Sequence, residues 1–294
     1  MSETLAGLRR KISGAGDLQS VVRTMKAVAA SSISQYENSV RALGNYYRSV
    51  ELGLGVCFRN AGSSGGMTGE IRKRERRAIG AVVFGSDQGL VGRFNDVVAD
   101  YAAENLAERK ENLKIWAVGE RVYGRLQDDG LPVSGFFTVP SSVKAITPLV
   151  GQILMEHDIL RGGDEFAELH LFHNRPASGA VYEPVGQRLL PLDEEWGRRL
   201  AALPWPSKNL PEVVGGGAAT LRALVREYLF VSLFRACAES LAGENASRLA
   251  AMQRAEKNID ELLESLTATF HRLRQSGIDA ELFDVISGFE ALTS

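Results

Sequence analysis

The sequence has few of the residues that mark several protein classes. Its two cysteines, Cys57 and Cys237, lie far apart and belong to no metal-spaced group, so we expect free, buried thiols in a reducing compartment. Basic and acidic residues nearly balance, at 34 and 36, so no global charge favours nucleic acid. The N-terminus lacks a signal-peptide apolar segment, and no apolar run approaches the ~18 residues of a membrane span. We expect a cytoplasmic protein, free to dock on a membrane complex.

Signatures of catalysis, cofactors and metals are also missing. No Ser/His/Asp or Cys/His arrangement is present, and the spacing of His170 and His173 points them to opposite faces of a strand. We therefore predict no catalytic, cofactor-binding or metal-binding residue. The glycine-rich GSDQGLVG (85–92) lacks both GxGxxG and GK[ST]. It favours a tight strand-helix turn with Ser86 or Asn95 as a local cap, and nucleotide binding there is the alternative.

Proline is absent from two long segments with helical periodicity. From Leu5 to Cys57, apolar or small residues recur about every 3.5 residues, the period of two supercoiled helices. A second helical pattern runs from about Ala218 to Ala291. Because one helix enters the central region and the other leaves it, side-by-side packing makes them antiparallel. The longer second helix should end in an unpaired tip, apolar on several faces, which needs a surrounding sleeve of protein.

The central region alternates strand and helix patterns, which predicts an α/β domain with a largely parallel sheet and a final hairpin. Expected strands are 78–85, 113–118, 133–139, 166–174 and 181–190, and expected helices are 95–109, 119–128 and 143–160. The predicted organisation is an N-terminal coiled-coil helix (1–58), a linker (59–77), the α/β domain (78–192), an irregular connection (193–217) and a C-terminal coiled-coil helix (218–294). The linker contains a solvated basic run at 72–77.

Three separated segments resemble F-type ATP synthase gamma subunits, in the same order. VVRTMKAVAA (21–30) is similar to the family's Met-containing stretch before Val-Ala-Ala, and GSDQGLVGRFN (85–95) to its Ser-Asp-Arg-Gly-Leu loop. ENASRLAAMQRA (244–255) and RQSGIDAELFDVISG (274–288) resemble its C-terminal helix. The resemblance implies an antiparallel coiled coil of the terminal helices plus a Rossmann-like domain, and a non-catalytic central-stalk rotor that couples ion translocation to ATP synthesis or hydrolysis.

The resemblance also implies the partners and contacts of such a rotor. The C-terminal tip would turn inside the hexamer of alpha and beta subunits, and the globular domain would pack with the epsilon subunit on the membrane c-ring, at the cytoplasmic face of the cell membrane. Met25, Lys26 and Asp87 would lie near the beta subunits, with Met25 packed on the C-terminal helix. The predicted polar contacts of the C-terminal helix with the hexamer are Arg248, Gln275, Asp279 and Glu281.

Some positions depart from the family pattern. Asp279 stands where the family usually has Thr, Gln88 where it has Arg, and Ser31 to Ser34 where the stretch is usually basic. The segments 191–217 and 226–242 look like the alternate, N-type branch, proposed to pump ions by hydrolysing ATP. Two other hypotheses remain open, namely a small-molecule enzyme with a nucleotide at 85–92 and a structural coiled-coil adaptor.

Overall fold

The computed structural model contains two long terminal helices and a five-stranded sheet with shorter helices. The helices are α1 (Leu5–Ala61), α2 (Phe94–Leu106), α3 (Glu120–Asp128), α4 (Val143–Glu156), α5 (Glu194–Ala201) and α6 (Gly217–Thr293). The strands are β1 (Ala78–Phe84), β2 (Leu113–Val118), β3 (Val133–Phe137), β4 (Phe166–Ala177) and β5 (Ala180–Leu190). The structure describes residues 4–61, 78–107, 113–156, 166–177, 180–190, 192, 194–209, 211–213 and 217–293.

The sheet has the order β3-β2-β1-β4-β5. Strand β1 pairs in parallel with β2 and β4, β2 pairs in parallel with β3, and β5 returns antiparallel to β4. In the sequence, strand and helix patterns alternate and are followed by two successive strand patterns. Such an order produces a mostly parallel sheet with crossover helices and a closing hairpin. The structure confirms the predicted fold class.

Differences from the predicted elements lie at their ends and in the connection before α6. Helix α1 continues to Ala61, inside the predicted linker, and the remainder of that linker, including the basic run at 72–77, lies outside the described residues. The last residues of the predicted helix 143–160, among them His157, also lie outside them. The segment predicted to be irregular contains the short helix α5.

The chain divides into two compact units, of which the larger comprises residues 30–248. Alternate side chains of each strand enter different clusters, as the two-residue period of a strand requires. Val82 and Phe84 join a cluster with α4 and with the parts of α1 and α6 in this unit. Ala81 and Val83 join another with α2 and α3. The sheet is therefore covered on both faces, which explains why β1 is apolar throughout.

Helix α5 packs within the same unit through an aromatic side chain. The ring of Trp196 lies 5.7 Å from that of Phe58 on α1 and 5.1 Å from that of Tyr228 on α6, measured between centroids. Arg59 donates to the backbone oxygens of Ala201 and Leu203 at 2.8 and 3.0 Å, which binds carbonyls at the end of α5. The contacts of Trp196 thus place a helix where the local sequence has no long periodic pattern.

The other unit comprises residues 1–29 and 249–294. Here α1 and α6 run antiparallel, because Gln19 bonds Asp260 while Arg23, further along α1, bonds Glu256, which comes earlier on α6. Counted equally along both helices from the first pair, Leu5 falls level with about residue 274 of α6. Residues 274–288 are all exposed, which confirms the predicted unpaired tip.

Two further predictions can be compared with the described residues. Cys57 and Cys237 are free and buried, as expected, and burial raises the pKa of both thiols. Among the described helices, none is long and apolar enough to cross a membrane.

Candidate subunit-contact sites

The glycine-rich turn after β1 is held by hydrogen bonds of its own side chains. The backbone N–H of Ser86 donates to Oδ1 of Asn95 at 2.9 Å, and Nδ2 of Asn95 donates to the Ser86 hydroxyl. Neither residue caps α2, whose N-cap is Arg93 without a side-chain hydrogen bond. The Ser86 N–H, which a phosphate-binding loop would leave free for its ligand, is thus already bonded within the chain. This geometry therefore offers no argument for nucleotide binding.

Asp87 joins two neighbouring segments to this turn. Its carboxylate accepts the backbone N–H of Glu120, in the first turn of α3, and that of Val139, both at 2.9 Å. Gly119, just before α3, has a φ of +120°, and a Cβ there would come within 2.9 Å of the Ser86 backbone. Leu90 adopts a left-handed φ of +64° and leaves its side chain 62% exposed at the turn. The carboxylate predicted to face a partner therefore also fixes its own loop.

A polar cavity of about 210 Å³ lies beside Asp87, lined also by Gln88, Glu244 and Arg248. Arg248 donates to Oε1 of Glu244 at 2.6 Å, and its side chain is only 12% exposed. Burial raises the pKa of Glu244, which Asp87 raises further and Arg248 only partly offsets. Arg248, predicted to meet another subunit, thus makes a buried ion pair within its own chain.

Met25 and Lys26 are engaged with α6 in the smaller unit. Met25 packs on the cluster of Val22, Met252 and Ile259, in agreement with the predicted packing on the C-terminal helix. Lys26 pairs with Glu256, which Arg23 also binds at 3.0 Å. These hydrogen bonds lower the pKa of Glu256. Because Lys26 stays about a third exposed, its ammonium group is accessible to solvent as well as paired with Glu256.

The other predicted contacts lie on the exposed end of α6. Gln275, Asp279 and Glu281 are all exposed, and they belong to the smaller unit, whereas Arg248 belongs to the larger one. Apolar side chains stand among them with exposed fractions of 46–69%, namely Ile278, Leu282, Phe283, Val285 and Ile286. This end of α6 therefore combines acidic and amide groups with a large apolar surface.

The histidines of β4 make separate contacts. Nε2 of His170 lies 2.7 Å from Glu168 of the same strand, and Nε2 of His173 lies 2.8 Å from Glu239 of α6. No group of three or more potential metal ligands occurs within the part of the chain that the structure describes.

Sequence reasoning missed the acidic partners of the predicted basic residues. Glu244 lies four residues before Arg248, a spacing that favours an ion pair on one helix, so the sequence held a signal for that contact. Glu256 pairs with residues on another helix, and no local spacing identifies it.

Comparisons with known proteins agree on one family. A family model described as ATP synthase matches residues 4–292. The ATP synthase gamma chain of Syntrophus aciditrophicus is 28% identical over 98% of both chains, and that of Clavibacter sepedonicus is 29% identical over 100% of this chain and 99% of its own.

Solved structures agree at the level of the fold. The rotor of the Euglena gracilis mitochondrial ATP synthase gives a TM-score of 0.60 at 17% identity, with 93% of this chain and 98% of that chain covered. A chain of the Tetrahymena thermophila central stalk and c-ring gives 0.55 at 19% identity, with 80% and 99% covered. The family match and the full-length relatives together show that the chain belongs to the ATP synthase gamma family.

Proposed function

We propose that this chain is the central-stalk rotor subunit of an F-type ATP synthase. It does no chemistry itself and couples ion translocation through the membrane ring to ATP synthesis or hydrolysis in the hexamer of alpha and beta subunits. The coupled ion is a proton or sodium. The epsilon subunit and the c-ring bind its α/β domain, and the assembly lies peripherally at the cytoplasmic face of the cell membrane.

The observation that carries this proposal is the apolar surface at the end of α6. Ile278, Leu282 and Val285 recur at helical spacing, and Phe283 and Ile286 stand on an adjoining part of the helix, all about half exposed or more. A large exposed apolar surface of this kind marks a site that other protein covers. A ring of subunits supplies such a sleeve and still allows the helix to turn.

The predicted contact residues other than Arg248 fit this arrangement. Gln275, Asp279 and Glu281 provide hydrogen-bonding groups among the apolar side chains, so they would give the sleeve specific contacts with the helix. Met25 and Lys26, and the turn that holds Asp87, are partly accessible and would meet the beta subunits. Membership of the N-type branch remains a prediction.

Co-purification tests the proposal. The tagged full chain, expressed with the alpha and beta subunits of its own organism, should elute with both in one complex that hydrolyses ATP. A chain that ends at Arg274 lacks the exposed end of α6, and we expect it to retain less of both subunits. If the full chain recovers neither subunit, the proposed function is wrong.

A further inference from the structure

Helix α6 is attached to the α/β layer of the larger unit by polar contacts within a buried interface. Nε2 of His173 on β4 lies 2.8 Å from Oε2 of Glu239, and Arg235 donates to the other carboxylate oxygen at 2.8 Å. Two turns later along α6, the Ser247 hydroxyl donates to the backbone oxygen of Val91 at 2.5 Å. His173, Glu239 and Ser247 are all buried. We call residues 239–247 the anchored segment.

Between these two contacts, the backbone of α6 comes very close to the strands and helices of the α/β domain. A Cβ at Gly243 would lie 3.3 Å from the backbone oxygen of Asn174 and 3.4 Å from the ring of Phe94. The same Cβ would lie 3.6 Å from Cβ of Tyr182 on β5, whose ring packs edge-on against Phe94 with centroids 5.2 Å apart. The anchored segment therefore contacts β4, β5 and the turn after β1.

The geometry of these contacts resists both rotation and sliding of the helix. Glu239 and Ser247 are eight residues apart, which places them about 12 Å apart along the axis and about 80° apart around it. Apolar contacts are non-directional and tolerate small rotations of a helix. Hydrogen bonds depend steeply on angle and distance, and breaking them here would strand buried polar groups.

We propose that the anchored segment transmits torque between α6 and the α/β domain, with His173, Glu239 and Ser247 as positioning residues. This inference rests on the proposed rotor function and adds the place at which torque passes from α6 to the α/β domain. A rotor driven at one end and loaded at the other must not let its helix turn within its domain. The hydrogen bonds of Glu239 and Ser247, at two different positions along the helix axis, meet that requirement.

The test uses the complete ATP synthase reconstituted into vesicles. The readout is the number of ions pumped per ATP hydrolysed, measured against an increasing opposing membrane potential. Ser247→Ala removes a contact between α6 and the layer. Ser240→Ala is the matched control, because Ser240 is equally buried on α6 but its hydroxyl has no hydrogen-bond partner among the described residues.

We expect Ser247→Ala combined with Glu239→Ala to hydrolyse ATP while pumping fewer ions per ATP, with the loss growing as the opposing potential rises. Ser240→Ala should pump as the unmodified complex does. The conservative pair Ser247→Thr and Glu239→Gln, which keeps hydrogen-bonding groups at both positions, should recover most of the ratio. A merely structural defect would lower assembly and leave the ratio in assembled complexes unchanged.

The outcomes separate this inference from the function on which it rests. If the double variant assembles and pumps like Ser240→Ala at every potential, the anchored segment does not carry torque. Should the double variant fail to assemble, Ser247→Ala alone against Ser240→Ala decides in the same way. If the unmodified chain forms no ATP-hydrolysing complex, it is the proposed rotor function that fails.

Discussion

Replacing Phe283 by alanine should weaken binding of the chain to the alpha and beta hexamer and leave the folding stability of the free chain nearly unchanged. Phe283 lies near the end of α6 and is 67% exposed in the free chain. Its ring therefore contributes little to the fold before assembly. If the sleeve exists, the same ring becomes buried only when the complex forms.

The size of the effect follows from the exposed area. A phenylalanine buries about 150–250 Å² when fully enclosed, so an exposed fraction of 67% leaves about 100–170 Å² for the sleeve to cover. At about 25 cal/mol per Å² this corresponds to about 2.5–4 kcal/mol. Since alanine keeps part of that area, we expect a loss of about 2–3 kcal/mol, or roughly a 30- to 150-fold weaker Kd.

The assay is a titration of the labelled chain with preformed alpha and beta subunits, alongside thermal unfolding of the free chain. Met155→Ala is the control, because Met155 is 72% exposed but lies on α4 of the α/β domain. Phe283→Ala should weaken binding while Met155→Ala does not, and both should unfold near the original temperature. Equal binding by the two variants would refute the reasoning about the sleeve.

Three further substitutions test the internal contacts. Met252→Ala empties a buried site in the small cluster between α1 and α6, and should lower the free energy of unfolding by about 2–3 kcal/mol in a denaturant titration; an unchanged midpoint would contradict that packing. Asp87→Ala removes the acceptor of two backbone N–H groups and should cost about 1–3 kcal/mol, with faster hydrogen exchange at Glu120 than in the unmodified chain as the local sign. Burial raises the pKa of Glu239, but hydrogen bonds from His173 and Arg235 outweigh it, so the net pKa lies below the ordinary value. The stability that the lowered pKa supplies is present above the ordinary value of about 4.5 and is lost as pH falls through the lowered one. Below that ordinary value, Glu239→Gln should therefore lose less stability on acidification than the unmodified chain does, and equal acid sensitivity would argue against the pair.

The long helices and the sheet could be predicted because their signals are local and repeated. A period near 3.5 over more than fifty residues has few other interpretations, and the strands of β1 and β2 are short apolar runs between helical patterns. Even the exposed end of α6 followed from a comparison of two helix lengths. Each of these inferences needed only the order of residues along the chain.

The missed features depend on residues brought together by the fold. Helix α5 is fixed by Trp196 between Phe58 and Tyr228, residues that are distant from it in sequence. Asp87 was singled out as a contact residue, but its two bonds reach the starts of segments after β2 and β3. The partner of Lys26 on α6 likewise changes what this cation can offer to another subunit. These contacts could be placed only once the arrangement of strands and helices was known, whereas the partner of Arg248 follows from the spacing of four residues on one helix.

Observation of rotation in single molecules tests the central claim most directly. Because Cys57 and Cys237 are buried, a cysteine introduced at the exposed Glu104 can carry a probe selectively while the alpha and beta hexamer is fixed to a surface. With ATP, the probe should turn continuously in one direction and stop when ATP is removed. A complex that contains this chain and hydrolyses ATP while the probe stays still would contradict the account.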